Sequence, residues 1–115
     1  MIIRSRALIR AAILIISAPA LAALSACTAD PEANAPQKYV NSCAWCHTEG
    51  TGGAPAIGDK DDWERRTQKG MAKVYSNAID GFEGATGIMP PKGSRADLTD
   101  EEVKELVDWM VEVSQ

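Results

Sequence analysis

The chain has 115 residues, a length that suits one small domain, and it carries 12 Lys and Arg against 16 Asp and Glu, a formal net charge of −4. This negative balance argues against a nucleic-acid-binding protein, because such proteins need a basic surface to meet the phosphates. A domain of this size buries only a modest hydrophobic core and usually needs additional internal support.

The first predicted element is an export signal over residues 1–26. Three arginines lie within the first ten residues, and a charge-free apolar run follows from Ala11 to Leu24. A basic start followed by an apolar run is typical of a secretory signal. The 14 residues of the run fall short of the ~20 that a membrane-spanning helix needs.

The apolar run ends in Leu24-Ser25-Ala26-Cys27, which resembles the lipobox of bacterial lipoproteins. The resemblance implies that residues 1–26 are removed and that Cys27 is lipidated as the mature N-terminus. An ordinary cleavable signal and an uncleaved anchor are the alternatives, and all three export the rest of the chain. Thr28 replaces the aspartate that is associated in enteric bacteria with inner-membrane retention, which favours an outer-membrane anchor. We therefore expect a periplasmic or extracytoplasmic protein, held on a bacterial membrane by lipid.

Residues 27–37 are predicted to be the lipidated N-terminus and a flexible tether, because the segment contains Pro31, Pro36 and several alanines but few large apolar residues. Ten extended residues at ~3.1 Å each would reach roughly 30 Å. Without residues 1–26 the chain keeps nine Lys and Arg against sixteen Asp and Glu, a formal charge of −7. This acidity indicates either partners with a basic docking patch or simply a well-solvated exported surface.

The motif Cys43-Ala44-Trp45-Cys46-His47 is typical of a c-type haem attachment site. The two thiols can add to the haem vinyl groups as thioethers, and the imidazole can bind the iron as the proximal ligand. A structural zinc site would need a second Cys or His pair, and a thioredoxin-like redox pair would need a βαβ setting. The sequence offers neither context. Because His47 is the only histidine, we expect one haem c.

Helical segments dominate the remaining chain, which we predict to be one domain over residues 38–115. No stretch alternates with period two, so we expect an all-α fold without a sheet. Thr99 and Glu102 are placed to form a capping box before the last helix, whose apolar residues recur at helical spacing. The predicted helices run from Pro36 or Gln37 into Cys46, over 61–69, over 71–79 and from Thr99 onward, with glycine- and proline-rich loops over 48–59 and 82–93.

Met89 is the candidate for a second axial ligand of the iron. It lies 42 residues after His47, on a loop that Pro90 and Pro91 stiffen. A methionine opposite the histidine raises the reduction potential and suits electron transfer. Filling of core volume is the ordinary role of methionine, and Met71 and Met110 are competitors, although both lie on predicted helices.

Taken together, these motifs resemble the class I c-type cytochromes, and most closely the bacterial cytochrome c5 type. The resemblance covers residues 39–110. It implies a small class I cytochrome c fold, with four to five helices wrapped around one covalently bound haem. The matching segments are Cys43–His47, Gly53–Lys60, Trp63–Arg66, Lys69–Met71, Gly87–Gly93 and the final helix.

The resemblance also implies roles for single residues. His47 and Met89 would be the axial iron ligands, the Pro55 carbonyl would accept a hydrogen bond from the proximal imidazole, and Trp63 would pack near the haem edge or a propionate. Tyr39 would lie near the last helix. The chain departs from many cytochromes c5 at 94–97, where it has no additional cysteine pair.

We therefore predict an exported, membrane-tethered electron carrier rather than an enzyme. Its expected partners are redox proteins such as a quinol-oxidising complex, a terminal oxidase or a periplasmic reductase, together with the membrane through the lipid on Cys27. The alternative function is a haem-based gas-binding or sensor module with an open sixth coordination position.

Overall fold

Five α-helices carry the fold in residues 30–115, the part of the chain that this computed structural model describes. The all-α class and the number of helices agree with the prediction. The predicted export signal over 1–26 and the predicted lipidation of Cys27 lie outside the described residues. The helices are α1 (Gln37–Ser42), α2 (Ala44–His47), α3 (Lys60–Thr67), α4 (Met71–Asp80) and α5 (Asp100–Glu112).

Two predicted helices differ in detail from the structure, one by a division and one by its first residue. The first predicted helix is divided at Cys43, although Cys43 N–H still donates to Tyr39 O (2.8 Å) and His47 N–H donates to Cys43 O (3.0 Å). The second begins at Lys60 because Asp59 caps it, accepting a hydrogen bond from Asp62 N–H at 3.0 Å. Asp59, Asp61 and Asp62 lie within four residues, so composition alone did not identify the one that caps.

A small antiparallel sheet corrects the prediction that the fold has none. Strand β1 (Phe82–Glu83) pairs with β2 (Ile88–Met89), so that Phe82 faces Met89 and Glu83 faces Ile88. Strands of two residues are too short to produce a detectable alternation of apolar and polar residues. The two predicted loops also contain short 3-10 turns, over Thr51–Gly53 and Pro91–Ser94.

Helices α1 and α5 contact each other in the core through an aromatic pair. The Tyr39 side chain is fully buried, and its ring centroid lies 4.7 Å from that of Trp109. The predicted capping box is present at the start of α5, where Glu102 N–H donates to Thr99 Oγ1 (3.2 Å) and Thr99 N–H donates to Glu102 Oε2 (2.8 Å). The predicted apolar stripe of α5 is buried at Val103, Leu106, Val107 and Met110 and half-buried at Val113.

The described end of the predicted tether forms a turn rather than an extended strand. Ala33 N–H donates to Asp30 O (3.1 Å) and Ala35 N–H donates to Glu32 O (3.0 Å), while Ala35 packs against the core. Glu32 also accepts a hydrogen bond from the Thr48 hydroxyl at 2.6 Å. Within residues 30–115, no helix is long and apolar enough to cross a membrane.

Candidate haem-binding site

A single cavity of about 580 Å³ brings together every predicted haem-site residue that the structure describes. Its volume lies within the ~300–1,000 Å³ typical of cofactor pockets. Its walls come from the α1–α2 junction, the 51–55 loop, α3, α4, the 82–90 hairpin and α5. The predicted residues that line it are Cys43, Cys46, His47, Pro55, Trp63 and Met89.

Both motif cysteines are free thiols at the start of α2, and both are half-buried. Burial raises the pKa of the Cys43 thiol, partly offset by the nearby Ser42 hydroxyl at 3.2 Å. Cys43 and Cys46 lie within one helical turn, since Cys46 N–H donates to Cys43 O at 3.2 Å. Two unpaired thiols on one wall are the groups that thioether formation requires.

The imidazole of His47 is held in one orientation. The ring is 5% exposed, and its Nδ1 lies 2.9 Å from the carbonyl oxygen of Pro55. Because a carbonyl oxygen only accepts hydrogen bonds, Nδ1 carries the proton and Nε2 keeps the lone pair that a metal needs. Burial is the main cause that lowers the pKa of His47, which favours the neutral imidazole, the form that binds metals.

Trp63 forms a wall of the cavity beside this imidazole. Its side chain is 2% exposed, and its ring lies 6.1 Å from the His47 ring at an interplanar angle of 28°. Its indole N–H already donates to Ala56 O at 2.8 Å. Trp63 therefore offers a flat packing surface to the cavity. Its one hydrogen-bond donor is already bound to the Ala56 carbonyl.

The 82–90 hairpin brings Met89 to the same cavity, where its side chain is half-buried. The hairpin lies close against the 51–53 turn, because a Cβ added at Gly87 would lie 2.4 Å from Gly52 O. Of the two competing methionines, Met110 also lines the cavity, whereas Met71 does not. Met110 is buried in the apolar stripe of α5, and its side chain contributes to both the core and the cavity wall.

Three cations that the sequence did not single out also line the cavity: Arg66, Lys69 and Lys73. Arg66 is held by Asp62, with N–O distances of 3.1 and 3.2 Å, and donates to Gly53 O at 3.0 Å. Arg66 lies on α3, Lys69 in the turn that follows it and Lys73 on α4, so only tertiary packing reveals that these residues share a wall.

The donor set fits a covalently held haem and does not fit a closed zinc site. In residues 30–115, no group of three or more His, Cys, Asp and Glu side chains is arranged to hold a metal ion. The cavity instead combines two thiols, a neutral imidazole and a thioether with apolar walls, which is the ligand chemistry of a c-type haem.

This helical fold and this donor set define a c-type cytochrome of class I. A family model described as cytochrome c oxidase, cbb3-type, subunit III matches residues 31–110. The chain therefore belongs to this family of c-type cytochromes.

Individual relatives agree with this assignment. The cytochrome c-555 of Chlorobaculum tepidum is 47% identical over 73 residues, which cover 64% of this chain and 68% of that protein. The cytochrome c5 of Ectopseudomonas mendocina is 40% identical over 70 residues, which cover 59% of this chain and 76% of that protein. A chain in the crystal structure of an electron-transfer complex of nitrite reductase with cytochrome c superposes with a TM-score of 0.60 and 26% identity, covering 69% of this chain and 91% of that one.

The predicted family, fold and cofactor are thus confirmed. The chain is a small electron-transfer cytochrome rather than an enzyme, and its cofactor is one covalently bound haem c.

Proposed function

We propose that this protein is an exported, membrane-tethered carrier of single electrons between respiratory redox partners, with His47 and Met89 as the axial ligands of its haem iron. The observation that carries the proposal is the presence of a fixed, neutral imidazole and a methionine thioether in one cavity beside the two motif thiols. The bound haem supplies the redox chemistry, because its iron alternates between the ferrous and ferric states.

The residues around the cavity would attach the haem, orient its ligands and keep water away from it. Cys43 and Cys46 would hold the group covalently, and the Pro55 carbonyl would keep the His47 ring from rotating. Met89 would occupy the sixth position, which raises the reduction potential and leaves no open site for a gas. Trp63 and the apolar face of α5 exclude water from the cavity wall.

Replacement of Met89 tests the ligand assignment. The ferric protein should show the near-infrared band of a methionine–iron bond, and Met89→Ala should abolish it and allow the ferrous form to bind carbon monoxide. Met71→Ala is the matched control, because Met71 is half-buried and does not line the cavity. If the band survives in Met89→Ala but disappears in Met110→Ala, then Met110 is the ligand.

The membrane tether is tested separately. The lipobox resemblance supports lipidation of Cys27 after removal of residues 1–26. Cys27→Ser should move the haem-containing protein from the membrane fraction to the soluble periplasmic fraction without changing its visible spectrum. If the wild-type protein is itself soluble after fractionation, the tether is wrong and the electron-transfer function stands.

A further inference from the structure

Ser114 is a buried polar side chain that does not belong to the wall of the haem cavity. In residues 30–115, the polar side chains that are buried, apart from the largely apolar rings of Tyr39 and Trp63, are His47 (5% exposed) and Ser114 (2% exposed). His47 lines the cavity, whereas Ser114 does not. Because buried polar groups are hydrogen-bonded in folded proteins, the partners of Ser114 indicate what it does.

The Ser114 hydroxyl links the C-terminal end of α5 to the loop that follows α2. It donates to Met110 O, one helical turn earlier, at 2.7 Å, and it accepts from Gly58 N–H at 2.8 Å. The first bond is the ordinary local bond of a serine near the end of a helix. The second bond joins residues that are 56 positions apart in the chain, so it depends on the tertiary fold.

Gly58 ends a segment, residues 55–58, that orients the imidazole of His47. The Pro55 carbonyl oxygen lies 2.9 Å from His47 Nδ1, and Ile57 N–H donates to His47 O at 2.7 Å. Pro55 and Ile57 are both buried. The segment therefore bonds to His47 through the ring and through the backbone, and a displacement of the segment would change the orientation of the ring.

The bond between Gly58 and Ser114 ties this segment to α5. The other side chains that bond to the segment are His47 on α2 and Trp63 on α3. Within the described residues, the Ser114 hydroxyl is the one group from the C-terminal end of α5 that bonds to it. Gly58 itself is exposed, so its N–H would bind water after loss of the hydroxyl, and the segment would lose its tie to the helix.

We propose that Ser114 is a positioning residue for the haem ligand: through Gly58 it holds the 55–58 segment, and with it the Pro55 carbonyl that orients His47. The hydrogen bond from Nδ1 fixes the ring and raises the basicity of a ligating imidazole. The proposal rests on the role of His47 as an axial iron ligand, which is proposed above, and it adds a residue that lies outside the haem attachment motif.

Hydrogen exchange of the His47 Nδ1 proton, followed by NMR in the ferrous holo-protein, tests the proposal. Ser114→Ala removes the hydroxyl without changing a residue of the cavity wall. The segment should then open away from the ring more often, so the proton should exchange at least about fivefold faster, as expected for the loss of one hydrogen bond. The midpoint potential should rise, because a less basic imidazole stabilises the ferric state less.

Thr99→Ala is the matched control. It also removes a hydroxyl that accepts from a backbone N–H, but at the opposite end of α5. It should leave the exchange rate and the midpoint potential at their wild-type values, even though it weakens the helix. An unchanged exchange rate in Ser114→Ala, an unchanged midpoint potential, or equal changes in the two variants would overturn the proposal, since Ser114 would then only stabilise the end of the helix.

Failure of the proposed ligand role has a separate signature. If His47 is bound to the iron, the carbon-bound protons of its ring lie over the haem, and the haem ring current shifts them far upfield in the ferrous protein. Absence of that shift in the wild-type protein rejects His47 as a ligand. Presence of the shift, combined with a Ser114→Ala variant that behaves like Thr99→Ala, rejects the role of Ser114 alone.

Discussion

Individual side chains around the cavity are fixed by hydrogen bonds to backbone carbonyls. His47 Nδ1 lies 2.9 Å from Pro55 O, and Trp63 Nε1 donates to Ala56 O at 2.8 Å. The two acceptors are consecutive residues, so the 55–56 backbone positions both the imidazole and the indole that lies beside it. A shift of this short segment would move both rings together.

The Trp63 hydrogen bond should contribute measurably to stability. Trp63→Phe keeps an aromatic ring but leaves the Ala56 carbonyl without its donor, which should cost about 1–3 kcal/mol in the free energy of unfolding. Guanidinium unfolding of the holo-protein, followed by circular dichroism, measures this. Trp45→Phe is the control, because Trp45 is mostly exposed and should change the stability little. Equal losses in the two variants would contradict the role of the buried bond.

Arg95 controls the ionisation of Asp97 on the surface. Two hydrogen bonds from its guanidinium, at 2.8 and 2.7 Å, are the main cause that lowers the pKa of Asp97 from 3.8 to about 2. Because the folded protein holds the ionised form, this pair contributes stability above pH 3.8 that is lost as the pH falls towards about 2.

Carboxyl NMR titration checks this pair directly. The Asp97 midpoint should lie near pH 2 in the wild-type protein. In Arg95→Ala it should return towards 3.8, the ordinary value of the group. An unchanged midpoint in the variant would show that another group lowers the pKa.

Among the helices and strands, α5 is the one that could be predicted most completely from the sequence, because the features that determine it are local. The capping box and the apolar stripe both lie within 15 consecutive residues, and both are present. The hairpin of β1 and β2 was missed because its pairing depends on contacts between strands rather than on any pattern inside them.

The N-terminal cap of α5 should contribute measurably to the free energy of unfolding. Thr99→Ala removes the hydroxyl that accepts from Glu102 N–H and should lower the free energy of unfolding by about 1 kcal/mol. Thr99→Ser keeps a hydroxyl in the same place and should restore most of the loss. Urea unfolding of the three holo-proteins tests the assignment, which fails if serine is no better than alanine.

Some residues of the candidate site can be identified from a local motif, and others only from the tertiary structure. Cys43, Cys46 and His47 follow from five consecutive residues, since haem attachment needs them adjacent. Met89 could be singled out only as a loop methionine, because the 41 residues between it and His47 carry no signal of where the loop returns. The shared wall of Lys69 and Lys73 depends on how the turn between α3 and α4 packs together with α4, which no local pattern contains.

For the whole molecule, the position of the N-terminal turn determines how the domain sits relative to its proposed anchor. The turn begins with Asp30, so only Thr28 and Ala29 separate it from Cys27. At ~3.1 Å per residue, the chain from Cys27 to Asp30 spans at most about 9 Å, rather than the roughly 30 Å of a fully extended tether. A lipidated Cys27 would therefore hold the domain close to the membrane surface, which restricts the directions from which partners reach the cavity.

The function proposed for this domain is to carry single electrons at a haem with histidine and methionine ligands. Potentiometric titration of the purified holo-protein, followed by its visible absorption, tests it most directly. We expect one reversible transition that fits a one-electron Nernst curve, and a markedly lower midpoint potential in Met89→Ala, because loss of the methionine ligand removes its stabilisation of the ferrous state. A wild-type protein without a reversible one-electron transition, or an unchanged midpoint in Met89→Ala, would contradict this account.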